Sequence, residues 1–202
     1  MSRLLLVRHG KTKLNSTERF WGKTDVELSD EGIRQAKCLR DRLESQKINA
    51  VYTSRLSRAR VTAEIITLRD NLDITTLAEL DEINFGFVEG LTIEEIKRLH
   101  PELSEVMKKW NSHPKFPGGE SLDDLDTRVQ EFLEILKNHK PAETILVVAH
   151  SVALRLIICH LLDIDIEHWR QIQTDLASLS IMDTYPQGAV LRLLNGVSHL
   201  KP

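Results

Sequence analysis

The sequence predicts a three-layer α/β fold, in which helices cover both faces of a mostly parallel central sheet. Two short apolar runs, residues 3–7 and the centre of residues 143–150, have the character of strands that are buried on both faces. In the first third of the chain, strand-like and helical segments alternate, which is typical of a parallel sheet with crossover helices. At 202 residues, the chain suits a single domain with a sizeable core.

The first third of the chain contains three predicted strands and two predicted helices. The helix over residues 28–45 has Ser29 as its N-cap, acidic residues in its first turn and apolar residues at helical spacing. A loop over residues 11–26 precedes this helix. The apolar positions are Ile33, Ala36, Leu39 and Leu43, and the other elements are strands over 3–7, 50–52 and 72–77 and a helix over 57–68.

The rest of the chain contains a helical segment, a strand-to-helix junction and a terminal strand pair. Residues 91–140 are mostly helical in pattern, with breaks at Pro101 and at residues 113–121. We expect residues at about 91–120 to form a small helical cap insertion within one domain that spans 1–202. The later elements are a strand over 143–150, a helix over 151–162 and strands over 176–185 and 189–195.

The composition argues against several functional classes. A net charge of -3 gives no sign of the basic face that nucleic-acid binding requires. Cys38 and Cys159 lie far apart and predict neither a disulfide framework nor a zinc site, which favours a cytoplasmic location. No apolar stretch approaches the roughly 20 residues that span a bilayer, so we expect no membrane partner.

Three side chains are predicted to meet at one edge of the sheet. His9 follows the first strand, Arg58 opens the helix after the second strand, and His150 ends the strand over 143–150. Because the carboxyl ends of parallel strands share one edge, these side chains and Arg8 can converge on one pocket. Two guanidiniums, two imidazoles and the N–H groups of nearby helix starts suit a small anion, and phosphate is the natural candidate.

These histidines and arginines could also have ordinary structural roles or bind a metal, but neither interpretation explains their joint placement. Each histidine alone could simply end a strand, and each arginine could lie on the surface, but their joint placement argues for a site. His9 and His150 lack the close spacing of metal ligands, and the neighbouring arginines would repel a cation, so we expect no metal and no cofactor. The remaining histidines are predicted to be structural or exposed: His100, His113, His139, His160, His168 and His199.

Phosphoryl transfer needs a neutral imidazole in line with phosphorus, cations around the phosphoryl group and an acid near the leaving oxygen. Nearby guanidiniums favour the neutral imidazole and stabilise the charge of the transition state. The segment "ELDEINFGFVEG" offers four carboxyl groups for the acid, Glu79, Asp81, Glu82 and Glu89. The chemistry alone leaves the choice among them open.

Five motifs resemble those of the histidine phosphatase superfamily, which has the phosphoglycerate mutase-like fold. They are "LVRHGKTKLN", "RFWGKTDVELSDEG", "TSRLSRARVTAE", "LDEINFGFVEG" and "VVAHSVALR", in the family's order over nearly the whole chain. The resemblance implies that His9 is phosphorylated and that Glu82 protonates the leaving group. It also implies that Arg8, Arg58 and His150 hold the phosphoryl group, with Asn15 as a further substrate-binding residue. We also expect Ser151, directly after His150, to bind substrate.

The chain departs from the family's pattern at four positions, Lys11, Arg55, Val88 and Ser151. The family often has an acid, proline, tryptophan and glycine there, respectively. None of these differences removes the proposed chemistry. Lys11 and Arg55 would make the mouth of the site more basic if their charges are free, which would favour an anionic substrate.

The resemblance implies hydrolysis of a small phosphorylated metabolite without a metal. The compact middle segment is most similar to the alpha-ribazole phosphatases, which act on a 5′-phosphate in cobalamin biosynthesis. The alternatives are a broad-specificity phosphatase, a phosphoglycerate mutase and a non-catalytic phosphate-binding module, the last disfavoured by the presence of His9 and Glu82. A homodimer is compatible with the sequence.

Overall fold

The computed structural model of the chain describes residues 2–68, 70, 72–109 and 113–201. Within these residues the strands form one six-stranded sheet. The strands are β1 (Ser2–Arg8), β2 (Ala50–Ser54), β3 (Ile74–Leu77), β4 (Thr144–Ala149), β5 (Leu179–Tyr185) and β6 (Gly188–Gly196). The α-helices are α1 (Asp30–Arg42), α2 (Ser57–Thr67), α3 (Ile93–Leu99), α4 (Pro101–Met107), α5 (Leu122–Leu136) and α6 (Ser151–Leu161).

The sheet is mostly parallel, which confirms the predicted fold class. Its strand order is β3-β2-β4-β1-β5-β6, and the first four strands in this order run parallel to one another. β5 and β6, which the sequence predicted as a terminal strand pair, form an antiparallel hairpin, and β5 pairs with β1 in antiparallel orientation. In the pairing of β1 with β4, Arg8 lies opposite Ala149, so that the residues following both strands emerge side by side.

Alternating side chains of β1 divide the core into two layers. Leu5 and Val7 pack with the buried faces of α1 and α2 on one side of the sheet. Leu4 and Leu6 pack with the buried faces of α5 and α6 on the other side. Since both faces of the central strands are covered, residues 4–7 of β1 and 145–149 of β4 are uniformly apolar, which is the signal that identified them in the sequence.

The predicted helix boundaries follow local capping chemistry. The Ser29 side chain accepts a hydrogen bond from the Gly32 backbone N–H, and α1 begins at Asp30, as expected. Pro101 separates α3 from α4 and occupies the first turn of α4. These two helices fall within the segment predicted to form a cap, of which residues 110–112 lie outside the described residues. None of the helices in the described residues combines the length and apolar character needed to cross a membrane.

Candidate active site

The structure brings His9, His150 and Arg58 together at the carboxyl edge of the sheet. His9 follows β1, His150 follows β4, and Arg58 lies in the first turn of α2, which follows β2. The two imidazole ring centroids are 5.0 Å apart, with the ring planes tilted by 56°. All three side chains are buried, with exposed fractions of 4% for His9, 0% for His150 and 3% for Arg58.

The hydrogen bond of His9 determines which ring nitrogen can react. Nδ1 lies 2.8 Å from the carbonyl oxygen of Gly10. A carbonyl only accepts, so Nδ1 carries the proton and Nε2 of the neutral ring keeps its lone pair. Burial, followed by the charges of Arg58 and Arg8, holds the pKa of His9 well below its ordinary value of 6.5. His9 is therefore a neutral imidazole with an unprotonated Nε2.

His150 is also neutral, but both of its ring nitrogens have partners. Nε2 lies 2.6 Å from the Ser54 hydroxyl oxygen, and the Nε–H group of Arg58 donates to Nδ1 at 3.3 Å. Since Arg58 only donates, Nδ1 is the acceptor and Nε2–H points to Ser54. Burial, followed by the charges of Arg58, His9 and Arg8, lowers the pKa of His150 well below 6.5. His150 is thus held in place more firmly than His9.

The two arginines differ in what they bind within the chain. Arg58 donates to the carbonyl oxygens of Gly22 at 2.5 Å and Thr24 at 2.9 Å, which ties the loop before α1 to the site. Arg8 donates to the carbonyl oxygen of Thr174 at 2.7 Å. Its Nε is buried and has no hydrogen-bond partner among the described residues. An unsatisfied buried donor beside the two imidazoles suits an anion.

Glu82 is the carboxyl group whose charge acts most strongly on Arg8 and Arg58. It is 8% exposed, and its Oε1 accepts the backbone N–H of Val152 at 3.3 Å, in the first turn of α6 directly after His150. Oε1 also accepts the backbone N–H of Ile83 at 3.1 Å. The start of α6 thus holds the Glu82 carboxylate beside the second imidazole.

The other predicted acids are engaged elsewhere or lie further out. Asp81 accepts the side chain of Arg55 at 2.6 and 2.9 Å and its backbone N–H at 2.9 Å. Glu89 accepts the backbone N–H groups of Lys23 at 2.7 Å and Thr24 at 2.8 Å. Glu79 is half-buried in a 3₁₀ turn before Asp81. The local hydrogen bonds therefore distinguish Glu82 from its neighbours, which the sequence pattern alone did not.

Arg55 does not supply the free positive charge that was expected at the mouth of the site. Its guanidinium forms an ion pair with Asp81, which compensates the charge. Lys11 is half-buried, and its backbone is fixed by bonds to Ser29 and Gln35. The expectation of a basic mouth thus fails for Arg55, because the sequence could not show that Asp81 pairs with it.

Asn15 and Ser151 lie on the Arg8 side of the site. The Asn15 Oδ1 accepts the backbone N–H of Thr12 at 2.6 Å and its hydroxyl at 2.8 Å, so that the amide NH₂ of Asn15 points elsewhere. Asn15 and Arg8 line the same cavity, of about 580 Å³. Ser151 Oγ is 3.2 Å from the hydroxyl oxygen of Thr174, whose carbonyl oxygen binds Arg8.

A second cavity, which we call the aromatic cleft, opens beside Glu82. Ile83 and Val152, whose N–H groups both contact Glu82, are part of its wall. Its volume is about 380 Å³. A larger cavity of about 630 Å³ lies near the opposite end of β1 and shares none of these side chains. The lining of the aromatic cleft is Phe20, Ile83, Phe85, Met107, Pro114, Phe116, Leu122, Val152, Arg155, Trp169 and Arg170.

The sequence predicted no role in this region for two residues, Ser54 and Arg155. Ser54 was not among the predicted site residues, although it contacts His150. Arg155 was included in an apolar helix, although it is the only Lys, Arg, Asp or Glu in α6. A lone charge in an apolar helix is the signal that could have identified it. Among the described residues, no three His, Cys, Asp or Glu side chains are grouped in a way that could hold a metal ion.

Neutral imidazoles, buried guanidiniums and a carboxylate at the carboxyl edge of an α/β sheet define a class of enzyme that handles phosphate esters by histidine chemistry. Residues 4–196 match the model of the histidine phosphatase superfamily (branch 1). The chain belongs to this superfamily, as its motifs predicted, and is an enzyme of the phosphomonoester hydrolase class.

The relatives of this chain in the superfamily are named for different substrates and reactions. Phosphoserine phosphatase 1 of Hydrogenobacter thermophilus is 33% identical over 99% of this chain and 95% of its own length. A probable phosphoglycerate mutase of Photorhabdus laumondii is 30% identical over 91% of this chain and 85% of its own length. The solved structure of a putative alpha-ribazole-5′-P phosphatase from Escherichia coli matches with a TM-score of 0.90, 30% identity and 96% coverage of both chains.

Proposed function

We propose that the protein hydrolyses small phosphomonoesters through a phosphohistidine formed on His9, without a metal ion. The unprotonated Nε2 of a buried neutral His9, beside the unsatisfied guanidinium Nε of Arg8, is the observation that carries this proposal. A neutral nucleophile and an anion-binding group on adjacent residues are what transfer of a phosphoryl group to histidine needs.

In the first step, His9 Nε2 attacks phosphorus, forming the N–P bond as the bond to the ester oxygen breaks. Glu82, which enters this step in its protonated form, gives its proton to the departing alkoxide and becomes a carboxylate. Arg8 and Arg58 bind the phosphoryl oxygens, and the amide of Asn15 and the hydroxyl of Ser151 bind the same group from the Arg8 side. His150 positions Arg58 and, once its bond to Ser54 is released, donates Nε2–H to a phosphoryl oxygen.

In the second step, water attacks the phosphohistidine. The Glu82 carboxylate, now deprotonated, removes a proton from the water as the N–P bond breaks. Phosphate leaves, and His9 returns to its neutral form. One carboxyl group thus serves as the acid in the first step and as the base in the second.

The aromatic cleft would hold the alcohol part of the substrate because it opens beside Glu82. We propose that the segment at about 91–120 acts as a cap here, since Met107 at the end of α4 and Phe116 both line the cleft. α-Ribazole 5′-phosphate, the substrate predicted from the sequence, would place its flat base among the aromatic rings. The similarity to the structure of the putative alpha-ribazole-5′-P phosphatase from Escherichia coli supports the same candidate.

A panel of phosphomonoesters tests this proposal. The panel contains α-ribazole 5′-phosphate, phosphoserine, 3-phosphoglycerate and glycerol 3-phosphate, with phosphate release and isomerisation of 3-phosphoglycerate both measured. We expect phosphate release to dominate. Isomerisation faster than release would instead identify a mutase, and binding without any turnover would identify a phosphate-binding module.

His9→Ala tests the nucleophile directly. We expect loss of turnover and of the acid-labile phosphoenzyme in a rapid-quench labelling experiment. His139→Ala is the matched control, because His139 contacts Tyr52 and Glu143, away from the site, and should still label. An acid-labile phosphoenzyme in His9→Ala would show that another residue is the nucleophile.

A further inference from the structure

Two residues that line the aromatic cleft each have a buried hydrogen-bond donor without an acceptor. Arg155 Nε and Trp169 Nε1 are both buried without a hydrogen-bond partner among the described residues. The rest of the described lining is apolar apart from Arg170 and contains no acidic side chain. Buried donors without partners are rare and costly, and two on residues that line one cavity indicate a ligand with acceptor atoms.

Arg155 lies about one helical turn from the residue that binds Glu82, and Glu82 is the charge that acts most strongly on it. Arg155 lies three residues beyond Val152 on α6, a rise of about 4.5 Å along the helix axis, and Val152 N–H contacts Glu82. The guanidinium carbon is 5.6 Å from the centre of the Trp169 ring, and that of Arg170 is 5.0 Å from the same ring. The indole thus holds Arg155 in one orientation.

Glu82 alone cannot balance the charges of three arginines, and Asp175 adds a weaker attraction at Arg8 and Arg155. The Glu82 carboxylate is the largest attractive charge on Arg8, on Arg58 and on Arg155. A bound phosphoryl group would be shared by Arg8 and Arg58, which leaves Arg155 facing the alcohol side. Burial, together with the charge of Arg170, opposes the charged form of Arg155 and lowers its pKa. A second negative charge in the cleft would relieve this imbalance.

We propose that Arg155, aided by the Trp169 N–H, binds an anionic group on the alcohol part of the substrate. The site then prefers phosphomonoesters of small hydroxy acids to those of neutral alcohols. This inference rests on the proposed hydrolysis and names its substrate class. It ranks a phosphorylated hydroxy acid above α-ribazole 5′-phosphate, whose alcohol part carries no acid.

A matched pair of substrates tests the inference. In 3-phosphoglycerate a carboxylate occupies the place of the hydroxymethyl group of glycerol 3-phosphate, and the two molecules are otherwise alike. We expect the wild-type kcat/KM to favour 3-phosphoglycerate by about tenfold or more, as a charge-assisted hydrogen bond would provide. Arg155→Gln should lower kcat/KM for 3-phosphoglycerate by about tenfold and for glycerol 3-phosphate by less than about threefold.

Two further variants separate charge from packing. Arg155→Lys keeps the charge and should retain part of the preference for 3-phosphoglycerate. Arg34→Gln makes the same change as Arg155→Gln at an arginine that pairs only with Glu31 on the surface of α1, and should alter neither substrate. Equal losses on both substrates in Arg155→Gln would mean that Arg155 only supports the fold, and would overturn the inference.

A binding measurement makes the outcome independent of turnover. Calorimetric titration of His9→Ala with each phosphoester should show tighter binding of 3-phosphoglycerate, and the added Arg155→Gln change should remove the difference. If the wild type turns over neither substrate but this difference is present, the proposed hydrolysis fails and the anion site stands. Equal binding or equal wild-type turnover of the two esters overturns the anion site alone.

Discussion

The two histidines that follow β1 and β4 differ in hydrogen bonding rather than in burial. Nδ1 of His9 is held by a carbonyl that forms part of its own turn, which leaves Nε2 available. His150 bridges Ser54 and Arg58, so its ring is already part of the protein's hydrogen-bond network. Equivalent positions on neighbouring strands thus produce one imidazole with an unprotonated Nε2 and one whose two ring nitrogens both have hydrogen-bond partners.

Glu82→Gln tests the proposed proton donor at the residue scale. The amide keeps the shape of the side chain and an oxygen that can accept from Val152 N–H, but it cannot give a proton to an alkoxide. We expect kcat/KM for alkyl phosphates to fall about a hundredfold or more, and for 4-nitrophenyl phosphate by less than about tenfold, since nitrophenoxide leaves unassisted.

Steady-state kinetics with both ester types provides the measurement for Glu82→Gln. Glu79→Gln is the matched control, because Glu79 precedes the same segment but is not held at the start of α6. Equal losses for alkyl and nitrophenyl esters in Glu82→Gln would point to another acid.

At the scale of elements, the turn after β1 is packed directly against the start of α1. A Cβ atom added to Gly32 would lie 2.0 Å from the Lys11 carbonyl oxygen, and one added to Gly10 would lie 2.6 Å from the Gly32 carbonyl oxygen. These are backbone atoms, which cannot move aside as a flexible side chain can. The close approach therefore fixes the turn that carries His9.

Gly32→Ala should destabilise the protein even though alanine favours helices. The alanine gains about 1 kcal/mol in helix propensity, but the backbone clash costs more, and we expect a net loss of about 1–3 kcal/mol. Urea unfolding measures the loss, and Arg34→Ala on the exposed side of α1 should change stability by less than about 0.5 kcal/mol. Unchanged or greater stability in Gly32→Ala would show that the turn is less rigid than its packing indicates.

The sequence predicted those elements whose signals are local. Ser29 and Pro101 carry their boundary signals in their own residue types, and the apolar runs of β1 and β4 reflect burial on both faces. The parallel arrangement also predicted that His9, Arg58 and His150 would meet. By contrast, the pairing of Arg55 with Asp81, the Ser54 contact with His150 and the place of Arg155 in a cleft depend on segments far apart in the chain, which no local pattern encodes.

At the scale of the whole molecule, the two buried imidazoles link stability to pH. In the unfolded chain their pKa returns to about 6.5, whereas in the fold both pKa values lie well below this. Between the two values the unfolded state binds more protons, so the free energy of unfolding falls as the pH drops below 6.5. The loss ends once the pH is below the folded-state pKa values.

Urea unfolding at about pH 7.5 and at about pH 5.5 measures this dependence. We expect lower stability at the lower pH, and a smaller loss in His9→Gln, which has one fewer imidazole to protonate. Carboxyl groups contribute equally to both proteins, so the difference between them isolates His9. Identical losses would indicate that His9 can be protonated without unfolding.

The adjacency of β1 and β4 also determines when the site can come into existence. His9 follows β1, whereas its neighbour His150 and the start of α6 come after β2, β3 and β4, so synthesis produces His9 first. Contacts between residues so distant in sequence are slow to form, because a long loop must close first. We therefore expect a nascent chain that already contains His9 to have no activity until β4 inserts between β1 and β2.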